Sequence, residues 1–431
     1  MLTGVLTVAL APPALADDAA PADPPSVPVA EPTASPPAEP TVASLTAVER
    51  TIARLVDRRR HDRRIGKDLA LLVLDAHTGA VIASHRSSHA QQPASNMKLV
   101  TAVAALAVMG PRARLQTTVL DGGQGHVILR GGGDPLLTRS GLADLARRTA
   151  RALDGERRIT IHVDDSMFAA PSDAAGWAPR TAGGSVAPVR PLGIRGDRSR
   201  HAERNAAAWF AGSLRARGVA VSIGPDRQAA VDAPELARLL GHTVADAVGV
   251  MLSQSESTVA EVLHRHVAVA SGLPATWAGA RQATTQALFG LGLDTTGQRL
   301  IDGSGLSRAD RLTPWFLARM LQVVRVQQPE RFEAMFRPSA MPVAGRTGTL
   351  NTRFGRYASS PSKCAVGRVQ AKTGTIPRTI ALSGVARAVD GRLRVFSMIV
   401  NNRPLSVREL STRQALDGLA ATITGCWAAK R

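Results

Sequence analysis

The chain has 431 residues, 44% of them hydrophobic, which is enough for a substantial core spread over two or three domains and excludes a disordered protein. It has no apolar run of about 18 residues, so a polytopic membrane protein is excluded as well. Bases outnumber acids by 53 to 34, and residues 1–48 hold five acids and no base, so the remainder is more basic still than the net charge of +19; such a field draws polyanions without choosing among them.

In chain order, Met1–Ala16 is a short apolar stretch ending in Ala14-Leu15-Ala16, which predicts a secretory signal segment. No Lys or Arg precedes Arg50, so the usual basic head of such a segment is missing. Residues 17–43 are Pro, Ala and acid with few large side chains, which predicts an extended tether. Apolar runs at 68–75 and 80–84 around Ala76-His77-Thr78-Gly79 predict a β-hairpin. After Pro93 the text from Ala94 to Met109 is apolar on nearly every face and stops at Gly110-Pro111, the pattern of a buried helix.

Beyond Pro111 the texture changes. Gly-rich turns, a basic amphipathic helix near 141–153, a strand at 158–164, a helix near 205–217 and a strand near 219–223 read as a separate α/β module over 113–240. Long helices follow at 248–270 and 313–327. Alternating strands at 368–372, 380–386 and 393–401 come next, the last two joined at Asp390-Gly391, and a helix at 407–424 closes the chain. The expected fold is therefore α/β (α+β): a discontinuous domain of residues 44–112 and 241–431, an antiparallel sheet flanked by helices, with 113–240 inserted.

Only five of the 53 bases are lysines (Lys67, Lys98, Lys363, Lys372 and Lys430). Arginine serves wherever a generic positive charge suffices, so a lysine invites a reason: its proton, unlike that of arginine, can be lost on desolvation. Ser95-Asn96-Met97-Lys98 heads the buried helix, with Ser95 and Lys98 one turn apart on one face and free N–H groups at the helix start, the makings of a nucleophile and its base. Lys372-Thr373-Gly374-Thr375 stands at the end of a strand. Its lysine and hydroxyls suit a carboxylate, its glycine lets a substrate lie close, and the Thr375 N–H pairs with that of Ser95 as an oxyanion hole. Arg346-Thr347-Gly348-Thr349 repeats that spacing with a generic base and is set aside as a decoy. Ser255-Glu256-Ser257 lies between two apolar helical runs, where the Ser255 hydroxyl is placed to relay a proton between Lys98 and a leaving amine. Each motif alone is weak, a helix cap, a strand-end turn and a polar corner; two of five lysines falling in two of them is the stronger signal.

Taken in order, Ser-x-x-Lys, a Ser-x-Asn-like triplet and Lys-Thr-Gly resemble the signature of penicillin-binding proteins and serine β-lactamases. The surrounding text is similar to the DacB-type D-alanyl-D-alanine carboxypeptidase/endopeptidase family in Pro93-Ala-Ser-Asn-Met-Lys-Leu-Val-Thr, Gly131-Gly-Gly-Asp-Pro, Asp164-Asp-Ser-Met-Phe, Met251-Leu-x-x-Ser, Ala260-Glu261, Asp302-Gly-Ser-Gly-Leu-Ser-Arg, Ala344-Gly-x-x-Gly-Thr-Leu and Ala371-Lys-Thr-Gly-Thr. The resemblance implies a secreted, wall-associated enzyme that trims peptidoglycan stem peptides through an acyl-enzyme on Ser95 and is acylated by β-lactams. It implies Lys98 as base, Ser255 as relay, and Ser257, Lys372, Thr373, Gly374 and Thr375 as the substrate site. The short interval between Lys98 and Ser255 implies that any third domain is reduced or absent. Ser257 departs from the asparagine of the family and Glu256 from its aspartate, which leaves a non-catalytic wall-binding protein and a β-lactamase as rivals. The only tyrosine, Tyr357, lies in no Tyr-x-Asn triplet, which weighs against the latter.

No metal and no cofactor are expected: His85/His89 and His264/His266 have metal-like spacings, but only Glu261 is near either, and solvated surface histidines are the reading. Cys364 and Cys426 suit one disulfide or two buried thiols. With 3% aromatics, no platform for nucleic acid is visible, and anionic wall polymers are the better match to the charge.

Overall fold

Residues 45–427 are described by a computed structural model; the expected signal segment 1–16 and tether 17–43 lie outside them. The described chain enters through a helix that the sequence reading did not mark, α1 (Ala47–Arg59), whose capping box joins Thr46 and Glu49 and whose buried stripe is only Glu49, Ile52 and Val56. The expected hairpin follows as β1 (Leu69–Asp75) and β2 (Val81–His85), then a 3₁₀ turn at Ala94–Asn96 running into α2 (Met97–Met109), buried from Met97 to Leu106.

In the middle segment, β3 (Thr117–Gly123), β4 (His126–Arg130), α3 (Arg139–Ala152), β5 (Arg158–Asp164), α4 (Ala202–Arg215), β6 (Ala220–Ile223) and β7 (Glu235–Leu239) build a mixed five-stranded sheet in the order β6-β5-β4-β3-β7. β3, β4 and β7 are additions to the sequence reading, which gave this stretch Gly-rich turns. A core of Leu129, Ile161, Val163, Leu145 and Phe210 joins the sheet to α3 and α4.

Three helices then pack beside α2, namely α5 (Val244–Gln254), α6 (Ser257–Ala270) and the unexpected α7 (Trp277–Phe289); α8 (Pro314–Gln322) packs against β1 and runs on as a π turn over Val323–Gln327 to the short α9 (Pro329–Phe332). The single helix expected over 248–270 is two. Ser255 takes a left-handed conformation, φ 59° and ψ 36°, and breaks it; a non-glycine residue held there carries local strain. The chain ends in β8 (Val369–Ile376), β9 (Thr379–Arg387), β10 (Leu393–Val400) and α10 (Glu409–Ile423).

β1 and β2 join these last strands in a fully antiparallel sheet, β2-β1-β10-β9-β8. Both faces are covered, which is why Leu69–Leu74 reads as an unbroken apolar run. Leu72 and Leu74 face the core shared with α2, α5, α6 and α8, while Leu69, Leu71 and Val73 face α1 and α10. Cys364 and Cys426 are bonded to each other, so the disulfide alternative holds and ties the end of α10 to the segment before β8. His264 and His266 are buried on α6, which corrects the surface reading for that pair. Burial holds the His264 imidazole down to about 4, so it is neutral, and His266 Nε2 pairs with the Gly133 carbonyl.

Candidate active site

The turn Ala94–Asn96 puts Ser95 at the mouth of α2, with Ala94 at φ +48°. Two glycines let other segments close on it. A Cβ on Gly305 would fall 1.9 Å from the Ala94 carbonyl oxygen, and one on Gly374 would fall 3.0 Å from that of Pro93 and 3.2 Å from Ala94 Cβ. Gly374 thus lets β8 approach the Ser95 turn. Asn96 is anchored away from the opening, its Nδ2 donating to Ser383 Oγ at 2.7 Å.

Lys98 is fully buried one turn on. Its Nζ donates to Ser95 Oγ (3.1 Å), Ser257 Oγ (3.2 Å) and the Ser304 carbonyl (2.9 Å). Burial pulls the ammonium down to about 8, against the pull of Glu261, Asp302, Glu256 and Asp310 in the other direction. Lys372 is equally buried; its Nζ donates to Ser255 Oγ (2.8 Å) and the Thr373 carbonyl (2.7 Å), and burial, helped by Lys98, holds it well below the ordinary lysine value.

The hydroxyls are distributed differently from the sequence expectation. Ser255, expected on Lys98, accepts from Lys372, and it is Ser257 that reaches Lys98. The break at Ser255 turns the two serines of one triplet toward different lysines. Lys372 also sits within β8, which continues to Ile376, rather than at a strand end. β8 is an edge strand. Ala371 N–H donates outward to the Pro342 carbonyl (3.0 Å), so Thr373 and Thr375, two and four residues on, turn their N–H groups to the same open side. A cavity of about 590 Å³, walled by Arg190, Arg195 and Arg198 from the middle segment, ends on Gln254, Ser255 and Ser257.

A nucleophile candidate hydrogen-bonded to a buried lysine, with a second lysine on an adjoining edge strand, is the arrangement against which known proteins can be weighed. The D-Ala-D-Ala carboxypeptidase 3 (S13) family matches residues 52–198 and 183–423. The chain belongs to that family. Among relatives of this S13 carboxypeptidase, Carboxypeptidase DacB of Mycolicibacterium smegmatis is 30% identical over 83% of this chain and 81% of its own, and Carboxypeptidase Rv3627c of Mycobacterium tuberculosis is 31% identical over 85% and 82%. In fold, the S13 chain resembles penicillin-binding protein 4 (dacB) from Haemophilus influenzae, with a TM-score of 0.74 at 20% identity over 86% of this chain and 98% of that one. The predatory peptidoglycan endopeptidase Bd3459 from Bdellovibrio bacteriovorus follows at 0.56 and 16%, over 82% and 91%. The α/β architecture and the DacB resemblance are both upheld, and the enzyme is a serine D-Ala-D-Ala carboxypeptidase.

Several residues of this S13 site went unassigned in the sequence reading. Ser304 supplies the carbonyl under Lys98, and Asp302 shapes that loop by accepting from the N–H groups of Gly305, Leu306 and Ser307 and from Trp177 Nε1 (2.7 Å). Thr349, from the motif set aside as a decoy, shares a 2.8 Å hydrogen bond with Thr373 through their hydroxyls. The signal was present in Asp302-Gly-Ser-Gly and in the repeated Thr-Gly-Thr, both quoted in the resemblance without a role. Among the described residues, no cluster of three His, Cys, Asp or Glu side chains is placed to hold a metal ion.

Proposed function

We propose that this carboxypeptidase works through an acyl-enzyme on Ser95, with Lys98 as the base that takes the hydroxyl proton. The observation that carries the reading is the 3.1 Å hydrogen bond from a fully buried Lys98 Nζ to Ser95 Oγ, with the amine held near 8, so that a useful fraction is neutral at working pH. Attack forms the Oγ–C bond at the carbonyl between two D-alanines, and the oxyanion lies between the N–H groups of Ser95 and Thr375. The departing amine takes back the proton held on Lys98, with the Ser255 hydroxyl as relay; charged Lys372, bonded to Ser255, receives the terminal carboxylate with Thr373 and Thr375, and Ser257 steadies Lys98. Water then releases the shortened stem peptide.

The same centre admits a cross-linked stem peptide, hence endopeptidase work, and the arginine-walled cavity beside Ser255 leaves room for it. We place the enzyme outside the cytoplasm, carried there by the signal segment at 1–16 and held at the wall by its basic surface and anionic polymers. Residues 113–240 are an insertion in the transpeptidase-like domain formed by 44–112 and 241–431. β-Lactams acylate Ser95 because they offer the same carbonyl and carboxylate. Labelling with a fluorescent penicillin, mapped by mass spectrometry, gives one adduct on Ser95 and none on Ser95→Ala; an unlabelled wild-type protein, or equal labelling of the variant, refutes the mechanism. Release of D-alanine from a diacetyl-Lys-D-Ala-D-Ala peptide separates the enzyme from a wall-binding homologue.

A further inference from the structure

Behind Lys98, on the side away from Ser95, lies a second group of ionisable residues that the mechanism above does not use. Glu261 stands one helical turn after Ser257 on α6, so the two side chains share the face that packs on α2. Ser257 touches the Lys98 amine. Glu261 is completely buried, its Oε2 accepts from Gly303 N–H at 2.8 Å, and its Oε1 has no partner. It holds the loop that seats Lys98: the Gly303 carbonyl accepts from Thr101 Oγ1 at 2.6 Å, and the next carbonyl, that of Ser304, accepts from Lys98 Nζ. Gly303 has to be glycine for this, since a Cβ there would fall 2.8 Å from the Ala260 carbonyl oxygen and 3.2 Å from Glu261 Oε2.

A buried carboxyl with an unpaired oxygen is costly as an anion and tolerable as an acid. The charged groups around it decide which form it takes. Asp302 has its carboxylate satisfied by three backbone N–H groups and the Trp177 indole. Asp310, on the same loop, is pushed up by burial and by Asp302. Lys98 faces Glu261 from α2 and Arg265 from one turn further along α6; His264 is neutral, and Glu256 and Lys372 lie on the substrate side of Lys98.

We propose that Glu261 is a positioning residue for the general base: through Gly303 N–H it holds the loop whose Ser304 carbonyl seats Lys98, and it exchanges its own charge against that of the lysine, ionised when Lys98 is an ammonium and protonated when Lys98 is a free amine. Burial and Asp302 push the Glu261 carboxyl up, while burial pulls the Lys98 ammonium down, so the two groups are drawn toward each other. When Ser95 gives its proton to Lys98, the ammonium forms beside a carboxyl that its charge makes easier to ionise.

The proposal rests on Lys98 as base, and two experiments keep it separable from that reading. Glu261→Gln retains an acceptor for Gly303 N–H and cannot ionise. With the anion gone, Lys98 loses its proton at lower pH, so the rising limb of the penicillin acylation rate against pH moves down by about one unit; a limb that stays in place overturns the exchange. The second needs no catalysis. The Glu261 carboxyl, followed by its ¹³C shift, titrates about one unit higher in Lys98→Met than in wild type, because a neighbouring cation has been removed. An unchanged Glu261 titration overturns the proposal even if no penicillin adduct ever forms, and a shifted one supports it even if Glu261→Gln fails to fold.

Discussion

Two lysines line the same opening, both without solvent exposure, yet their surroundings differ. On the helical side, Lys98 has three oxygen acceptors and, behind them, Glu261, Asp302 and Asp310. On the sheet side, Lys372 has a serine hydroxyl and a backbone carbonyl, and the charge that acts on it is the like charge of Lys98. Burial alone drives both amines toward neutrality; what separates them is the counter-charge. Lys98 is stopped near 8, where it can take up and give back a proton during turnover. Lys372 is held well below the ordinary lysine value, and on the mechanism proposed the anion missing from its side is the one the substrate brings.

Removing Lys98 tests this contrast most severely. Lys98→Met keeps the length and loses the base, and acylation by a chromogenic β-lactam, followed by stopped flow, falls by about 10²- to 10⁴-fold. Lys372→Met leaves the substrate carboxylate without its cation, at a cost of about 2 kcal/mol or more, so KM for the free-acid peptide rises by at least about 30-fold. KM for the corresponding methyl ester barely moves; equal losses on acid and ester would erase the distinction between the two lysines.

pH sharpens it further. The acylation rate climbs as Lys98 loses its proton through about 8. Affinity for the carboxylate runs the opposite way: Lys372 is depressed when free and raised by the bound anion, so between those two values binding takes up a proton and weakens by up to about tenfold per pH unit. Calorimetry in buffers of different ionisation enthalpy measures that uptake; a carboxylate ligand that binds with none would mean that Lys372 is already charged. The smallest effect is expected of Thr349→Val, which removes one hydrogen bond from Thr373 and costs about 1 kcal/mol, roughly fivefold in kcat/KM.

The sheet β2-β1-β10-β9-β8 was legible because its strands are short, apolar and bounded by turn residues, and α2 because it is apolar all round. α1 escaped because arginines surround a stripe of two apolar residues and a buried glutamate, too narrow to raise a periodic signal among charges. β3, β4 and β7 escaped because Gly122 and Gly123 at the end of β3, with Gly125 just after it, read as loop, and because β7 carries charges at its exposed positions. Of the site, Ser95, Lys98 and Lys372 were marked by residue type and spacing. The exchange of partners between Ser255 and Ser257 was not, since it follows from one left-handed residue in a run whose apolar text continues on both sides. The loop under Lys98 lies far from it in sequence, and only the fold brings Ser304 there.

The stitching of residues 175–177 onto that loop bears on what a minimal enzyme would look like. Trp177 Nε1 reaches Asp302, Ser307 Oγ donates to the Ala175 carbonyl at 2.6 Å, and Arg308 N–H donates to that of Gly176 at 3.0 Å. Trimming away residues 113–240 would therefore remove part of the scaffold that keeps the loop under Lys98 in register. A shortened version designed for screening inhibitors would report on a different catalyst, unless those three tethers were kept.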